Sequence, residues 1–187
     1  MSNLYEKGKT LLFLAGIEAM LIVCIALANL NPHPIQYFIF YNLMYGLIFS
    51  FGVPLYVLRK EKESLASVGI KKPGMRQFIV LFLFAVFSVG GQLIPVIAAG
   101  RQILWRRLPM GILPLIMTTF FEEFLFRGFV QSRVEKLFGC FPAIFVSGMM
   151  FSLYHIGYPG FRTWEDLLLL FAVGIGFAQS GECRSRE

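Results

Sequence analysis

The chain has 187 residues, of which 57% are hydrophobic, only 15% are charged and 21 are phenylalanine. A soluble domain carries about 25% charged residues, so this chain, with a mean hydropathy of +0.68, lacks the polar side chains to cover itself in water. The composition excludes an ordinary soluble domain and predicts that the lipid bilayer is the solvent and partner of much of the molecule.

The net charge of +6 does not indicate a nucleic-acid partner. Nucleic-acid binding needs a basic face with aromatic or polar readout groups. Here the basic residues lie in short runs between apolar stretches, notably from Arg59 to Arg76. That distribution is typical of the cytoplasmic loops of a membrane protein, and no nucleic acid is expected.

Each stretch of about 20 apolar residues is long enough to cross the hydrocarbon core as a helix. The sequence therefore predicts an all-α, polytopic transmembrane helical bundle of about six spans, forming a single integral-membrane domain over 1–187. In chain order the spans are Leu11–Leu30, Tyr37–Leu58, Phe78–Ala99, Met110–Val130, Phe141–Tyr158 and Trp164–Gln179. The first stretch follows Lys7 and Lys9 as a signal peptide would, but it is long and contains Glu18, which favours a retained span.

The distribution of Lys and Arg predicts a cytoplasmic N-terminus in the cell membrane. With that orientation Arg127 lies within a span and the outer loops carry Arg101, Arg106, Arg107 and Arg162. The larger, cytoplasmic set is Lys7, Lys9, Arg59, Lys60, Lys62, Lys71, Lys72, Arg76, Arg133, Lys136, Arg184 and Arg186.

The fourth span contains three ionisable residues, Glu122, Glu123 and Arg127. Each charge at bilayer depth costs about 2.5–3.5 kcal/mol on insertion scales, so the three side chains must face one another or water. Glu123 and Arg127 have the i,i+4 spacing of a carboxylate–guanidinium pair. A structural ion pair is one interpretation. The second carboxylate favours function instead, because like charges in a poorly solvated site are typical of a general base.

His155 is the next candidate, because the fourth and fifth helices are predicted to reverse as a hairpin at Gly139-Cys140. Glu122 and His155 are nearly equidistant from that turn, so they should lie level to within about 1.5 Å, one residue of helical rise. The fourth helix would then continue past the membrane to Phe138 as an amphipathic extension. Alone, such a histidine is more often an interfacial or hydrogen-bonded residue.

The pattern Glu122-Glu123-x-x-x-Arg127 followed by Phe151-x-x-x-His155 resembles the two signature motifs of the CAAX prenyl endopeptidase and bacteriocin-processing (CPBP or Abi) family of intramembrane proteases. The resemblance covers roughly 110–177. It implies that Glu122 activates water with Glu123 beside it, that Arg127 positions Glu122, and that His155 orients water or stabilises the oxyanion.

The family's third motif, a histidine and asparagine on a later helix, is not present. The tail, 180–187, is unlike the rest of the chain, and we expect a C-terminally truncated or frame-shifted product that lacks the family's last helices. Some family members are named metalloproteases, so one divalent metal such as zinc is a possible cofactor, with Glu122, Glu123 and His155 as candidate ligands.

Three functions follow as hypotheses. The first is an intramembrane endopeptidase that cleaves membrane-associated or prenylated protein or peptide substrates with a glutamate-activated water. The second is a catalytically inactive immunity or partner-binding protein of the same fold. The third is a proton-coupled transporter, because paired carboxylates in a bundle also relay protons; transporters usually show two matching halves, which this sequence does not.

Overall fold

The computed structural model describes residues 2–30, 33–71, 74–101, 108–158, 160–161 and 163–180. Within these ranges the chain is all-helical and has no strand, as predicted. Most of the atypical tail, from residue 181, lies outside the described part of the chain, as do the predicted loop charges Lys72, Arg106, Arg107, Arg162, Arg184 and Arg186.

Six helices correspond to the six apolar stretches in the described residues. They are α1 (Ser2–Leu30), α2 (Pro34–Lys60), α3 (Met75–Ala98), α4 (Leu108–Glu123, continuing through Phe124–Val130 and Gln131–Phe138), α5 (Cys140–Leu153) and α6 (Trp164–Ser180). Short 3₁₀ turns at Leu65–Val68 and Tyr154–Gly157 lie between them.

Two of the described helices, Leu4–Leu30 and Pro34–Lys60, are long and apolar enough to cross a bilayer, and Cys140–Ile156 forms a shorter apolar helix. The predicted extension of α4 to Phe138 is present. So is the predicted reversal, because Gly139 ends α4 with a φ of 89° and α5 begins at Cys140. The number of spans stays a prediction.

The chain forms two compact units, and the single domain predicted over 1–187 stays a prediction. The smaller unit, 71–116, contains α3 and the first residues of α4. Apolar side chains are exposed along α3, among them Phe78, Phe82 and Phe87. Such a surface suits a lipid-facing helix.

The larger unit, 1–70 with the described part of 117–187, contains the buried core. Leu14, Ile17, Leu21 and Ile25 recur at the spacing of one helical face, and all four are buried. They belong to one cluster with buried side chains of α2, α4, α5 and both turns: Tyr45, Leu58, Val68, Phe124, Leu125, Phe126, Phe129, Val130, Val134, Ala143, Met150, Phe151 and Tyr154.

Small residues let α5 and α6 approach closely. A Cβ added at Gly174 would stand 3.1 Å from the Cα of Gly148, and one at Gly148 would stand 3.2 Å from Ile175. Ser152 donates a hydrogen bond of 2.6 Å to the carbonyl of Leu167 across the same interface. Glycine contacts and serine hydrogen bonds of this kind join helices where lipid removes the hydrophobic driving force.

The turn after α2 is attached to the last part of α4 by charged side chains. Arg133 contacts both Glu61 and Glu63, and Lys136 donates to Glu63. Partial burial alone would raise the pKa of Glu63. The hydrogen bond from Lys136 and the charge of Arg133 outweigh that effect, so the pKa lies below its ordinary value.

We predict that Gly174→Ala destabilises the protein by about 1–3 kcal/mol, because the added Cβ meets the backbone of Gly148 and not a movable side chain. Gly176→Ala is the matched control, since nothing lies within 4 Å of its added Cβ. Unfolding in detergent, followed by circular dichroism, measures both. Equal stability of the two variants would contradict the close helix contact.

We predict that Glu63→Gln costs about 0.5–1 kcal/mol at pH 7. Because the folded pKa of Glu63 is lowered, its contribution is full above the ordinary glutamate value of about 4.3 and is lost as the pH falls through the lowered value. The difference between wild type and Glu63→Gln should therefore vanish in acid, and should shrink in about 1 M NaCl. Substitution of the exposed Glu165 by Gln is the control, and a difference independent of pH would refute the ionic attachment.

Candidate active site

The charged residues of α4 lie where its α-helical part gives way to a wider, π-helical segment. Glu122 and Glu123 end the first part, and Arg127 lies in the segment Phe124–Val130. π-Helical turns are rare and occur frequently at functional sites. The segment is fixed to its neighbours at two points. Ser147 of α5 donates 2.8 Å to the carbonyl of Phe126, and Gly128 lies so close to Val68 that a Cβ there would stand 2.9 Å from its carbonyl.

The pair predicted from the i,i+4 spacing is present, with the Arg127 Nε 3.7 Å from the Glu123 Oε2. The Arg127 side chain is 12% exposed, whereas that of Glu123 is 44% exposed. The guanidinium also lies 4.1 Å from the centre of the Phe151 ring, a cation–π contact between α4 and α5. Arg127 therefore contacts both signature motifs, at Glu123 and at Phe151.

Glu122 points to different partners from those of Glu123. Its Oε1 accepts a hydrogen bond of 2.9 Å from the hydroxyl of Tyr45 on α2. Tyr154, Glu123 and Arg127 also act on this carboxylate electrostatically. The carboxylate is half-buried, and the Tyr45 side chain that contacts it is fully buried.

His155 lies in the 3₁₀ turn that follows α5, so its helix has already ended. Its Nδ1 is 2.8 Å from the carbonyl oxygen of Phe151. A carbonyl oxygen only accepts hydrogen bonds, so Nδ1 carries the proton of the neutral ring and Nε2 is left as an acceptor. The ring lies among aromatic side chains, with centroids 5.2 Å from Phe151 and 5.0 Å from Phe161.

Tyr154 connects the carboxylate to the imidazole. It interacts electrostatically with Glu122, and its ring centroid is 4.0 Å from that of His155. The charge of Arg127 also acts on His155. The structure thus brings Glu122, Glu123, Arg127 and His155 into one neighbourhood. Their catalytic roles stay predictions.

Five tyrosines form a connected set of rings and hydroxyls, in which Tyr45 contacts Glu122, and this set was not predicted from the sequence. Tyr37, Tyr41 and Tyr45 recur every four residues on α2, and successive rings stack at 4.9 and 5.2 Å. Tyr158 donates 2.8 Å to the Tyr41 hydroxyl, and the Tyr45 and Tyr154 rings stack at 5.8 Å. The four-residue repeat was the available signal, because residues four apart share a helix face.

The segment that contains this arrangement is similar to a known protein family. Residues 103–180 match the type II CAAX prenyl endopeptidase Rce1-like family. The matched segment contains both motifs and so confirms the predicted resemblance. The match also agrees with a membrane protein that has a CAAX protease-type fold. No curated protein and no solved structure matches the chain.

The matched segment does not show the donor set of a metal site. No three His, Cys, Asp or Glu side chains among the described residues come together to hold an ion. Glu123 is paired with Arg127, whereas the contact of His155 Nδ1 with the Phe151 carbonyl leaves Nε2 able to accept. Glu122, Glu123 and His155 do not form a three-donor zinc site in the described part of the chain, and the zinc cofactor stays a prediction.

Two other features lie apart from this site. Glu18 on α1 is 8% exposed, and neither of its carboxylate oxygens has a hydrogen-bond partner in the described part of the chain. A cavity of about 580 Å³ opens near the charged turn, lined by residues such as Lys9, Phe13, Lys60 and Arg133. It is lined by none of the four predicted site residues, so its size alone does not make it the active site.

Proposed function

We propose that this chain is an intramembrane endopeptidase that hydrolyses peptide bonds with a water molecule activated by Glu122. The observation that carries the proposal is the single neighbourhood of a hydrogen-bonded carboxylate, a guanidinium and an imidazole. The family match over the same segment supports it. Glu122, and not Glu123, is the proposed base, because Glu123 is engaged by Arg127. Glu122 instead accepts a hydrogen bond from Tyr45, whose ring stacks on Tyr154 beside His155.

In the proposed reaction the Glu122 carboxylate removes a proton from water as the oxygen attacks the scissile carbonyl carbon. A carbon–oxygen bond forms, and the carbonyl π electrons move to the oxygen. Glu122 then returns the proton to the leaving nitrogen as the carbon–nitrogen bond breaks. The positive charge of Arg127 favours the negative charge that develops in between.

We propose that His155 takes the water-orienting role, one of the two that the resemblance implies. With Nδ1–H donated to Phe151, the Nε2 of the neutral ring accepts a hydrogen bond and has no proton to give. That suits orientation of the attacking water. Stabilisation of an oxyanion needs a donor, which this tautomer does not offer at Nε2.

The substrates we propose are membrane-associated or prenylated proteins and peptides. The base lies on a helix rich in phenylalanine, so a substrate that partitions into lipid reaches it more readily than a soluble peptide does. The type II CAAX prenyl endopeptidase match points to the same class.

We predict that Glu122→Gln lowers hydrolysis of a quenched, prenylated peptide by about 10²–10⁴-fold in proteoliposomes, the range for loss of a general base. Gln keeps the size of the side chain and removes its basicity. Glu165→Gln, on the exposed start of α6, is the control and should leave the rate unchanged.

Other outcomes of the same experiment identify the alternatives. If neither wild type nor Glu122→Gln turns over any peptide, the enzyme proposal fails. A Glu122-dependent proton flux into the vesicles would then support a transporter, and its absence would leave an immunity or partner-binding protein.

We also propose a multi-pass protein of six spans with its N-terminus in the cytoplasm, from the excess of Lys and Arg on that side. In a variant with all three native cysteines replaced by serine, Lys71→Cys should react with an impermeant maleimide only in inside-out vesicles. Arg101→Cys should react only in right-side-out vesicles. Labelling of both positions from one side would overturn the six-span topology.

A further inference from the structure

Tyr45 makes the closest polar contact that the structure gives to the proposed base. Its side chain is fully buried, and its hydroxyl is 2.9 Å from Oε1 of Glu122. An ionised carboxylate only accepts hydrogen bonds, so the phenol is the donor. A donor of this kind stabilises the charged form of the acid over the neutral form.

The position of the Tyr45 hydroxyl is fixed by contacts of its ring with two other rings. Tyr41 stacks on it with a centroid distance of 5.2 Å, and Tyr154 with one of 5.8 Å. Ser50 donates 2.8 Å to the Tyr45 carbonyl, in the π-helical part of α2. A side chain held in this way loses little freedom when it donates to Glu122, so the hydrogen bond is preorganised.

We propose that Tyr45 is a positioning residue that holds the carboxylate of Glu122 in place through its buried hydrogen bond. The catalytic part of this inference rests on the proposed function; the hydrogen bond itself does not. The Tyr154 ring stacks on that of Tyr45 at 5.8 Å and lies 4.0 Å from the imidazole ring, so it connects the Tyr45 side of the site to His155.

The groups that act on Glu122 come from three elements, and each affects its protonation in a different way. Arg127 favours the charged form and Glu123 opposes it, whereas the tyrosines contribute hydroxyl dipoles. The set that acts on Glu122 consists of Tyr41 and Tyr45 from α2, Glu123 and Arg127 from α4, Tyr154 from the turn after α5, and Tyr158 directly after that turn. Tyr45 is hydrogen-bonded to Glu122, and Tyr45→Phe removes that hydroxyl without altering any of the charges.

The test measures the protonation of Glu122 directly, in the full chain in lipid. Infrared difference spectra across a pH titration detect the carbonyl band of the protonated acid, which is assigned to Glu122 by its loss in Glu122→Gln. We expect Tyr45→Phe to move the midpoint of this band upward by about one pH unit, because a hydrogen bond to the charged form is lost. Tyr37→Phe removes a hydroxyl two helical turns away on the same face and should leave the midpoint unchanged.

A midpoint that is the same in wild type and Tyr45→Phe overturns the inference, and so does a band that is absent from both. Circular dichroism of each variant shows whether a shift reflects loss of the fold; a shift in a folded Tyr45→Phe protein supports the inference. This readout needs no turnover, so it also separates the inference from the proposed function.

When hydrolysis is measured, the apparent pKa on the acid side of the kcat/KM–pH profile should rise together with the infrared midpoint. KM should change less than kcat. An infrared shift in a protein that hydrolyses no peptide would support the positioning role of Tyr45 and contradict the proposed protease activity. Hydrolysis with a profile unmoved by Tyr45→Phe would retain the protease and reject the role of Tyr45 in it.

Discussion

The carboxylate of Glu122 lies in an apolar bundle, and the arrangement of its neighbours follows from that constraint. An ionisable group at bilayer depth costs about 2.5–3.5 kcal/mol unless it finds partners. Tyr45 supplies a hydrogen bond from α2, Tyr154 interacts electrostatically with the same carboxylate, and Arg127 supplies a positive charge. Arg127 is itself buried, so it needs the Glu123 carboxylate and the face of the Phe151 ring. The contacts that stabilise the Glu122 carboxylate and Arg127 thus fix the relative positions of α2, α4 and the turn after α5.

That arrangement requires close helix approach, which explains where the small residues occur. Gly148 and Gly174 bring α6 against α5, and Gly128 admits the Leu65–Val68 turn against the π-helical segment. Ser147 and Ser152 add hydrogen bonds across the same contacts. Since these residues are small or donate to backbone, they join helices without introducing another charge. The helix that carries the proposed base is therefore held from two sides within the larger unit.

Much of the fold was accessible from the sequence because its signals are local. Apolar stretches predicted the six helices, Gly139 predicted the reversal, and the spacing of Glu123 and Arg127 predicted their ion pair. The π-helical segments and the 3₁₀ turn at His155 were not predicted, because tertiary contacts decide between helix types that have similar local preferences. Tyr45 was missed for the same reason: it is far from Glu122 in the chain, and only the fold brings its hydroxyl to the carboxylate.

The hydrogen-bond donors and acceptors of the site also determine which residue can serve each step of the proposed reaction. Hydrolysis needs a base for the water and a positive or donating group for the oxyanion. Neutral His155 offers an acceptor at Nε2, because its only N–H is used by the Phe151 carbonyl. The donating groups near Glu122 are instead Arg127 and the tyrosine hydroxyls. The imidazole is thus suited to guide the water, and the guanidinium to balance the charge that the attack creates. Tyr154 contacts the His155 ring and stacks on Tyr45, which donates to Glu122. A displacement of the turn Tyr154–Gly157 would therefore disturb the proposed base and the proposed water-orienting group together.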